Sequence, residues 1–477
     1  MKRIIALLLA CIFLMSLAFT GCGKNDDKDS GTTPTKAPAG DTGTDDPAPA
    51  EDVTDDPSVK VLNVWSFTEE VPNMLNKYKE LHPDFPYEIK TTVIATTEGA
   101  YQPALDQALA GGGADAPDIY CAEAAFVLKY TQGDAYQYAA SYKDLGIDVD
   151  KLLVESEIAP YTVEIGTTPD GNLVGLGYQA TGGAFIYRRS IAKDVWGTDD
   201  PATIKDKVGP GWDKFFAAAA ELKAKGYGIV SGDGDIWHAI ENSSEQGWIV
   251  DGKLNLDPKR EAFLDLSKQL KDNGYHNDTQ DWNDAWFADM KGAGEQQILG
   301  FFGPAWLINY VMAGNSGSDN QVIGEGTFGD WAVCEPPVGF FWGGTWVLAN
   351  KDTKLKKTVG DIIEWITLDS SETGLQYFWA NGTMEEGKVG TKDAVASGAV
   401  MAKSDGSIDF LNGQNMFEAF IPAGEFANGK NLTQYDETIN STWRGQVREY
   451  TAGNKTREQA IADFKQIIAD TLDVVVE

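Results

Sequence analysis

Residues 23 to 58 cannot build a core. They are rich in Asp, Thr, Pro, Gly and Ala, carry ten acidic against three basic residues, contain no aromatic residue, and offer one large aliphatic side chain, Val53. Such a stretch buries too little apolar surface to offset its ordering entropy. It therefore reads as an acidic linker and confines the fold to 59–477. Ahead of it stand two basic residues, Lys2 and Arg3, and an apolar run from Ile4 to Phe19, closed by Thr20-Gly21-Cys22. A basic start, a short apolar stretch and small residues before a break make an export signal. The apolar run is shorter than the roughly 20 residues that a membrane span prefers.

The run into Cys22 resembles a bacterial lipoprotein signal, with Phe19 where Leu is usual. The resemblance implies that residues 1–21 are removed, that Cys22 becomes the lipidated first residue, and that 22–58 tethers a folded body to the outer face of the cell membrane. Of the four cysteines, Cys121 and Cys334 remain in that body; an oxidising location allows a disulfide between them, but two cysteines make no framework, and the favoured reading is two free, buried thiols. The formal charge of −33 argues against nucleic acid, which needs a basic footprint.

The body opens on alternating elements. Val61 to Phe67 has strand character. Met74, Tyr78 and Leu81 then fall on one helix face after Pro72, and His82-Pro83 ends the helix. Tyr87–Ile94 reads as a strand, Tyr101–Leu109 as a helix, and Pro117–Cys121 as a third strand. Strand and helix in alternation predict a parallel sheet with crossover helices, an α/β fold. Farther on, Trp212 to Leu222 is an amphipathic helix, and Ile298–Phe302 and Thr345–Ala349 are strands. Thr456 with Gln459 makes a capping box that starts a helix facing Ile461, Phe464 and Ile468 inward. Gly324-Glu325-Gly326-Thr327-Phe328-Gly329 has dinucleotide-site spacing but no helix start after it. The three histidines are scattered, so neither zinc nor any other cofactor is called for.

Several segments, in order, resemble the solute-binding lipoproteins of carbohydrate ABC importers, the maltodextrin-binding-protein type. They are Leu62–Trp65, Ala116–Tyr120, Asp170–Tyr178, Phe185–Ser190, Gly211–Phe215, Gly300–Trp306 and Trp342–Trp346. Arg188-Arg189 replaces the usual Asn-Lys in the fourth. The resemblance implies a two-lobe periplasmic-binding-protein-like fold, with 59–178 and 337–371 in one lobe and 179–336 and 372–477 in the other. Chain crossings between the lobes are expected near Tyr178–Gly183, Pro336–Gly339 and Asp369–Gly374. It further implies a monomer that closes on a neutral oligosaccharide and delivers it to membrane permease subunits. The rival readings are a surface-anchored glycoside hydrolase, which would use two of the chain's many carboxylates, and a glycan adhesin without catalysis.

Sugar rings present an apolar face and a rim of hydroxyls, so a site for them wants flat aromatic platforms and polar side chains. Among 14 tryptophans, Trp237, Trp306, Trp342, Trp346 and Trp379 lie beside Gly, Pro or acids, where an indole can be exposed. Trp306 and Trp342 also match the family's loop positions. Glu69, Glu70 and Glu123 follow predicted strands, at the end of the sheet where ligands gather. The resemblance adds Asp235, Tyr178 and Arg444.

Overall fold

The computed structural model describes residues 53–96 and 99–477. The export signal, Cys22 and most of the expected linker lie outside the described residues. The folded body begins earlier than the composition of the linker implies. Asp55 accepts hydrogen bonds from Thr358 N and Oγ1 at 3.1 and 2.5 Å and from Tyr87 Oη at 3.0 Å. Its carboxylate thus serves the first turn of helix Lys356–Thr367. A segment with no core of its own is held by this acid and by Asp56 N, which donates to Lys354 O at 2.8 Å.

Ten strands follow among the described residues: β1 Val61–Ser66, β2 Glu88–Val93, β3 Ile119–Glu123, β4 Gly175–Gly177, β5 Ala184–Arg188, β6 Ile249–Val250, β7 Lys253–Leu254, β8 Gly300–Gly303, β9 Trp331–Cys334 and β10 Thr345–Ala349. They form a five-stranded sheet in the order β2-β1-β3-β10-β4, a three-stranded sheet β8-β5-β9, and the small pair β6-β7. β1 runs parallel to β2 and β3, as the alternation of strands and helices requires. β10 is antiparallel to both its neighbours, because the chain returns to this sheet from the second one.

Apart from the exposed edge strand β2, both sheets are buried on both faces. In the first, Ile119, Cys121 and Val347 point into one core, while Tyr120, Ala122, Trp346 and Leu348 point into another. In the second, Phe185, Tyr187 and Phe302 face one core, and Ile186, Phe301 and Val333 the other. Cys121 and Cys334 are free and buried in separate cores. Helix Glu70–Leu81 buries Met74 and Tyr78 as its spacing predicts, but Leu81, its last residue, is 37% exposed. The Thr456–Gln459 capping box is formed in both directions.

Two extended segments join the sheets. Residues 178–183 lead from β4 to β5, and 335–344 lead from β9 back to β10. They run side by side, with Gly183 N donating to Phe340 O at 2.8 Å and Trp342 N to Thr181 O at 3.0 Å. The third chain at this crossing is Ala394–Ala396, paired with Tyr178–Ala180, and not Asp369–Gly374. The latter only turns between two helices, and Leu375 just after it still belongs to a core of the first sheet.

Candidate binding cleft

A cavity of about 350 Å³ opens where the two halves meet. One wall is Glu123-Ala124-Ala125, at the carboxyl end of β3. The opposite wall is helix Gly234–Asn242, through Trp237, His238, Glu241 and Asn242. Phe341, Trp342 and Gly343 of the crossing form the floor. Helix Asp436–Thr451 lays a polar stripe along the side, Glu437, Asn440, Ser441, Arg444 and Arg448, spaced as one helix face.

The floor is aromatic. Trp342 stacks on His238 with ring centres 4.7 Å apart and 24° between planes. Trp306 backs it edge-on at 4.9 Å and donates its indole N–H to Trp342 O at 2.9 Å. Phe341 stacks on Tyr161 at 4.8 Å. Gly343 and Gly344 have φ of +73° and +117°, and a Cβ on Gly344 would lie 3.1 Å from the Trp346 ring. Only glycine lets the backbone pass here while Thr181 Oγ1 donates to Gly343 O at 2.9 Å.

The polar groups are held in place. Asp281 accepts from Arg444 Nη2 at 2.5 Å, with Arg448 at 3.8 Å. Burial opposes ionisation of Asp281, but the Arg444 guanidinium overcomes it and holds the carboxyl below its usual range. Glu241 is likewise held low against burial, chiefly by its bond from His238. Glu123 and Asp436 go the other way. Burial pushes each carboxyl up to about 7, helped by the nearby charges of Glu437 and Glu241 respectively. Asp436 Oδ2 and Arg444 Nε are buried without a hydrogen-bond partner, so the cleft keeps polar valences unfilled. A site with aromatic planes, carboxylates, amides and guanidinium groups can stack a ring and bond its hydroxyls. Among the described residues, no group of three or more potential ligands stands together to hold a metal.

Of the residues singled out from sequence, the cavity brings together Glu123, Trp237, Trp342 and Arg444. Trp237 offers little more than an edge, since it is 1% exposed and packs on Phe263. Trp306 stands behind the floor as its support. The others are corrected by burial or position. Trp346 is 1% exposed on a central strand, and its indole N–H donates to Thr162 O at 3.1 Å. Asp235 spends its carboxylate on Ser231 N, Gly232 N and Trp286 Nε1, all within 3.0 Å. Tyr178 is fully buried and bonded to Glu70. Trp379 packs edge-on against Tyr178, outside the cavity lining. Glu69 is exposed and away from the lining. Glu70 bridges the halves instead, accepting from Tyr310 Oη at 2.8 Å. Sequence reading missed His238, Glu241, Asn242 and most of the stripe 437–448. The stripe's helical spacing was the available signal.

A model of the bacterial extracellular solute-binding proteins matches residues 73–378. No curated protein sequence matches the chain. Among solved structures, an extracellular solute-binding protein of family 1 is similar over 86% of this chain and 98% of its own, with a TM-score of 0.68 at 20% identity. The galacto-N-biose-/lacto-N-biose I-binding protein of Bifidobacterium longum follows over 89% and 100%, at 0.65 and 16%. The sugar-binding protein MalE of Xanthomonas citri follows over 86% and 97%, at 0.62 and 14%. At these identities the likeness carries the fold alone, two α/β lobes about a cleft.

Proposed function

Since this chain belongs to the bacterial extracellular solute-binding protein family, we propose that it captures a neutral oligosaccharide in the cleft and passes it, uncleaved, to the permease subunits of an ABC transporter. The observation that carries the reading is the cavity floor, where Trp342 presents an indole beside His238 within reach of Glu123, Glu241, Asn440 and Arg444. An apolar platform ringed by hydrogen-bonding groups matches the two faces of a sugar. The Bifidobacterium relative holds lacto-N-biose, which fits the same class of ligand. The protein works as a monomer, held at the outer membrane face by a lipid on Cys22.

A ligand that binds only the folded state raises stability by about 2.7 kcal/mol at a hundredfold excess over Kd. Melting against a panel of gluco-, xylo- and manno-oligosaccharides should therefore show a rise with at least one. Failure of every sugar to raise the melting temperature, or the appearance of new reducing ends, would overturn the reading.

Trp342→Ala should cost about 1–3 kcal/mol of affinity, by analogy with bases stacked on aromatic side chains. Calorimetry and unliganded melting, measured together, check it. Unchanged affinity with a large melting loss would return Trp342 to a purely structural role. Cys22→Ala should abolish acyl labelling and release the protein from the membrane fraction; retention of both would remove the anchor from the proposal.

A further inference from the structure

Trp282 is the residue of the cleft region whose conformation is hardest to explain by folding alone. The residue is 54% exposed. Its φ is +65°, a conformation that a bulky L-residue adopts at a free-energy cost and keeps only where its neighbours impose it. The neighbours are fixed on both sides. Asp281 is bonded to Arg444 of the cavity wall, and Asn283 caps helix Asp284–Met290 by accepting from Trp286 N at 3.0 Å. Glycine or asparagine would suit the position between these two anchors. Tryptophan there spends stability to hold a large apolar face in water.

That face is continuous with the cavity floor. The Trp282 ring lies parallel to Trp306, 10° between planes and 6.1 Å between centres, and edge-on to Trp342 at 6.0 Å. Trp342 lines the cavity, and neither Trp306 nor Trp282 does. The three indoles thus form one cluster beside the cavity floor, with ring centres 4.9 to 6.1 Å apart, and Trp282 is its exposed member.

We propose that Trp282 is a second stacking platform, outside the cavity, and that the ligand is an oligosaccharide long enough to leave the cavity over Trp342 and lay a further ring on Trp282. This rests on the oligosaccharide reading above. It commits the site to a chain length, and it makes Trp282 the residue that separates long ligands from short ones.

The test is calorimetry of the mature protein and of Trp282→Gly with gluco-, xylo- and manno-oligosaccharide ladders of two to six units, together with unliganded melting. Wild type should bind more tightly as chains lengthen, until the platform is covered. Trp282→Gly should lose at least fivefold in affinity for the longest chains, keep its affinity for the shortest chain that binds, and melt at or above wild type, because glycine takes this φ freely. Equal loss at every length would mean that Trp282 acts only by positioning Asp281 and Arg444, and it would overturn the proposal. So would unchanged affinity at all lengths, with or without a fall in melting temperature. Wild type binding no member of any ladder would overturn the oligosaccharide reading itself, and this inference with it.

Discussion

Replacing Arg260 with methionine should cost about 3–5 kcal/mol of folding stability, as expected when one partner of a buried charge cluster is removed. Arg260 has no solvent exposure. Its guanidinium lies over the Trp248 ring at 4.5 Å and donates from Nη1 to Gln246 O at 2.9 Å. Nε and Nη2 have no hydrogen-bond partner, so the cation is held by ring and charge more than by bonds. Burial lowers its pKa, and the charges of Glu241, Asp436 and Asp257 oppose that. Glu241 and Asp436 are also cavity-wall residues. Arg260 is therefore the counter-charge behind the cleft, and its loss leaves Glu241 leaning on His238 and Asn440 alone. Arg260→Lys should recover little, because an ammonium cannot stack flat on Trp248. Arg260→Met combined with Glu241→Gln should recover much of the loss, since both charges then leave together. Urea denaturation of the three variants measures this. A single variant as stable as wild type, or a double variant whose loss is the sum of two independent losses, would show that the charge is not what holds this wall.

The elements of the fold were legible because period and punctuation agreed. Thr345–Ala349 and the Thr456 cap stand where the sequence puts them. The first crossing was placed by the family resemblance, since its glycines suit an ordinary turn as well, and the third was misplaced because Ala394–Ala396 has no turn residue to mark it. The cleft was legible only in part, since flanking residues do not reveal which side of a sheet an indole takes. Trp342 and Trp346 bracket the same two glycines. Trp342 precedes them, in the crossing, and faces the cavity. Trp346 follows them, on a strand paired on both sides, and is buried. A central strand in a doubly covered sheet buries both faces, so alternation cannot protect an exposed position there. Asp235 was misread for a related reason: an acid at a helix start serves either a ligand or the local backbone, and here the backbone takes it. Asp281 and Trp282 carry no local mark at all. The importance of Asp281 comes from Arg444, 163 positions away, and that of Trp282 from its place beside Trp306 and Trp342.

Raising the pH from about 5 to about 8 should destabilise the unliganded protein, against the usual expectation that neutral pH favours an acidic protein's fold. Asp393 and Asp436 are buried, at 2% and 7% exposure. Burial pushes each carboxyl up to about 7, and Glu70 beside Asp393 and Glu241 beside Asp436 add to it. In the unfolded chain both return to about 3.9. Between these values the folded state binds more protons than the unfolded one, so stability falls as pH rises. The contribution is complete below about pH 4 and is lost as pH passes about 7. Partly buried Glu123, also raised to about 7, adds in the same direction. Glu241 and Asp281 are held below their ordinary values, so their contribution changes only in more acidic solution. His276 works in the opposite sense, because burial lowers its pKa and its neutral form is favoured as pH rises. One pH unit between folded and unfolded values is worth about 1.4 kcal/mol, so these carboxyls, with Asp235 also raised to about 7, outweigh one imidazole, and the loss should reach several kcal/mol. Asp436→Asn and Asp393→Asn keep a polar group of the same shape without the charge. Each should flatten the profile and melt above wild type near pH 8. A wild-type melting temperature that stays level or rises between pH 5 and pH 8 would mean that these carboxyls are ionised in the folded protein. Asp436 Oδ2 would then be an unpaired buried charge behind the cleft, waiting for a hydroxyl of the ligand to bond it.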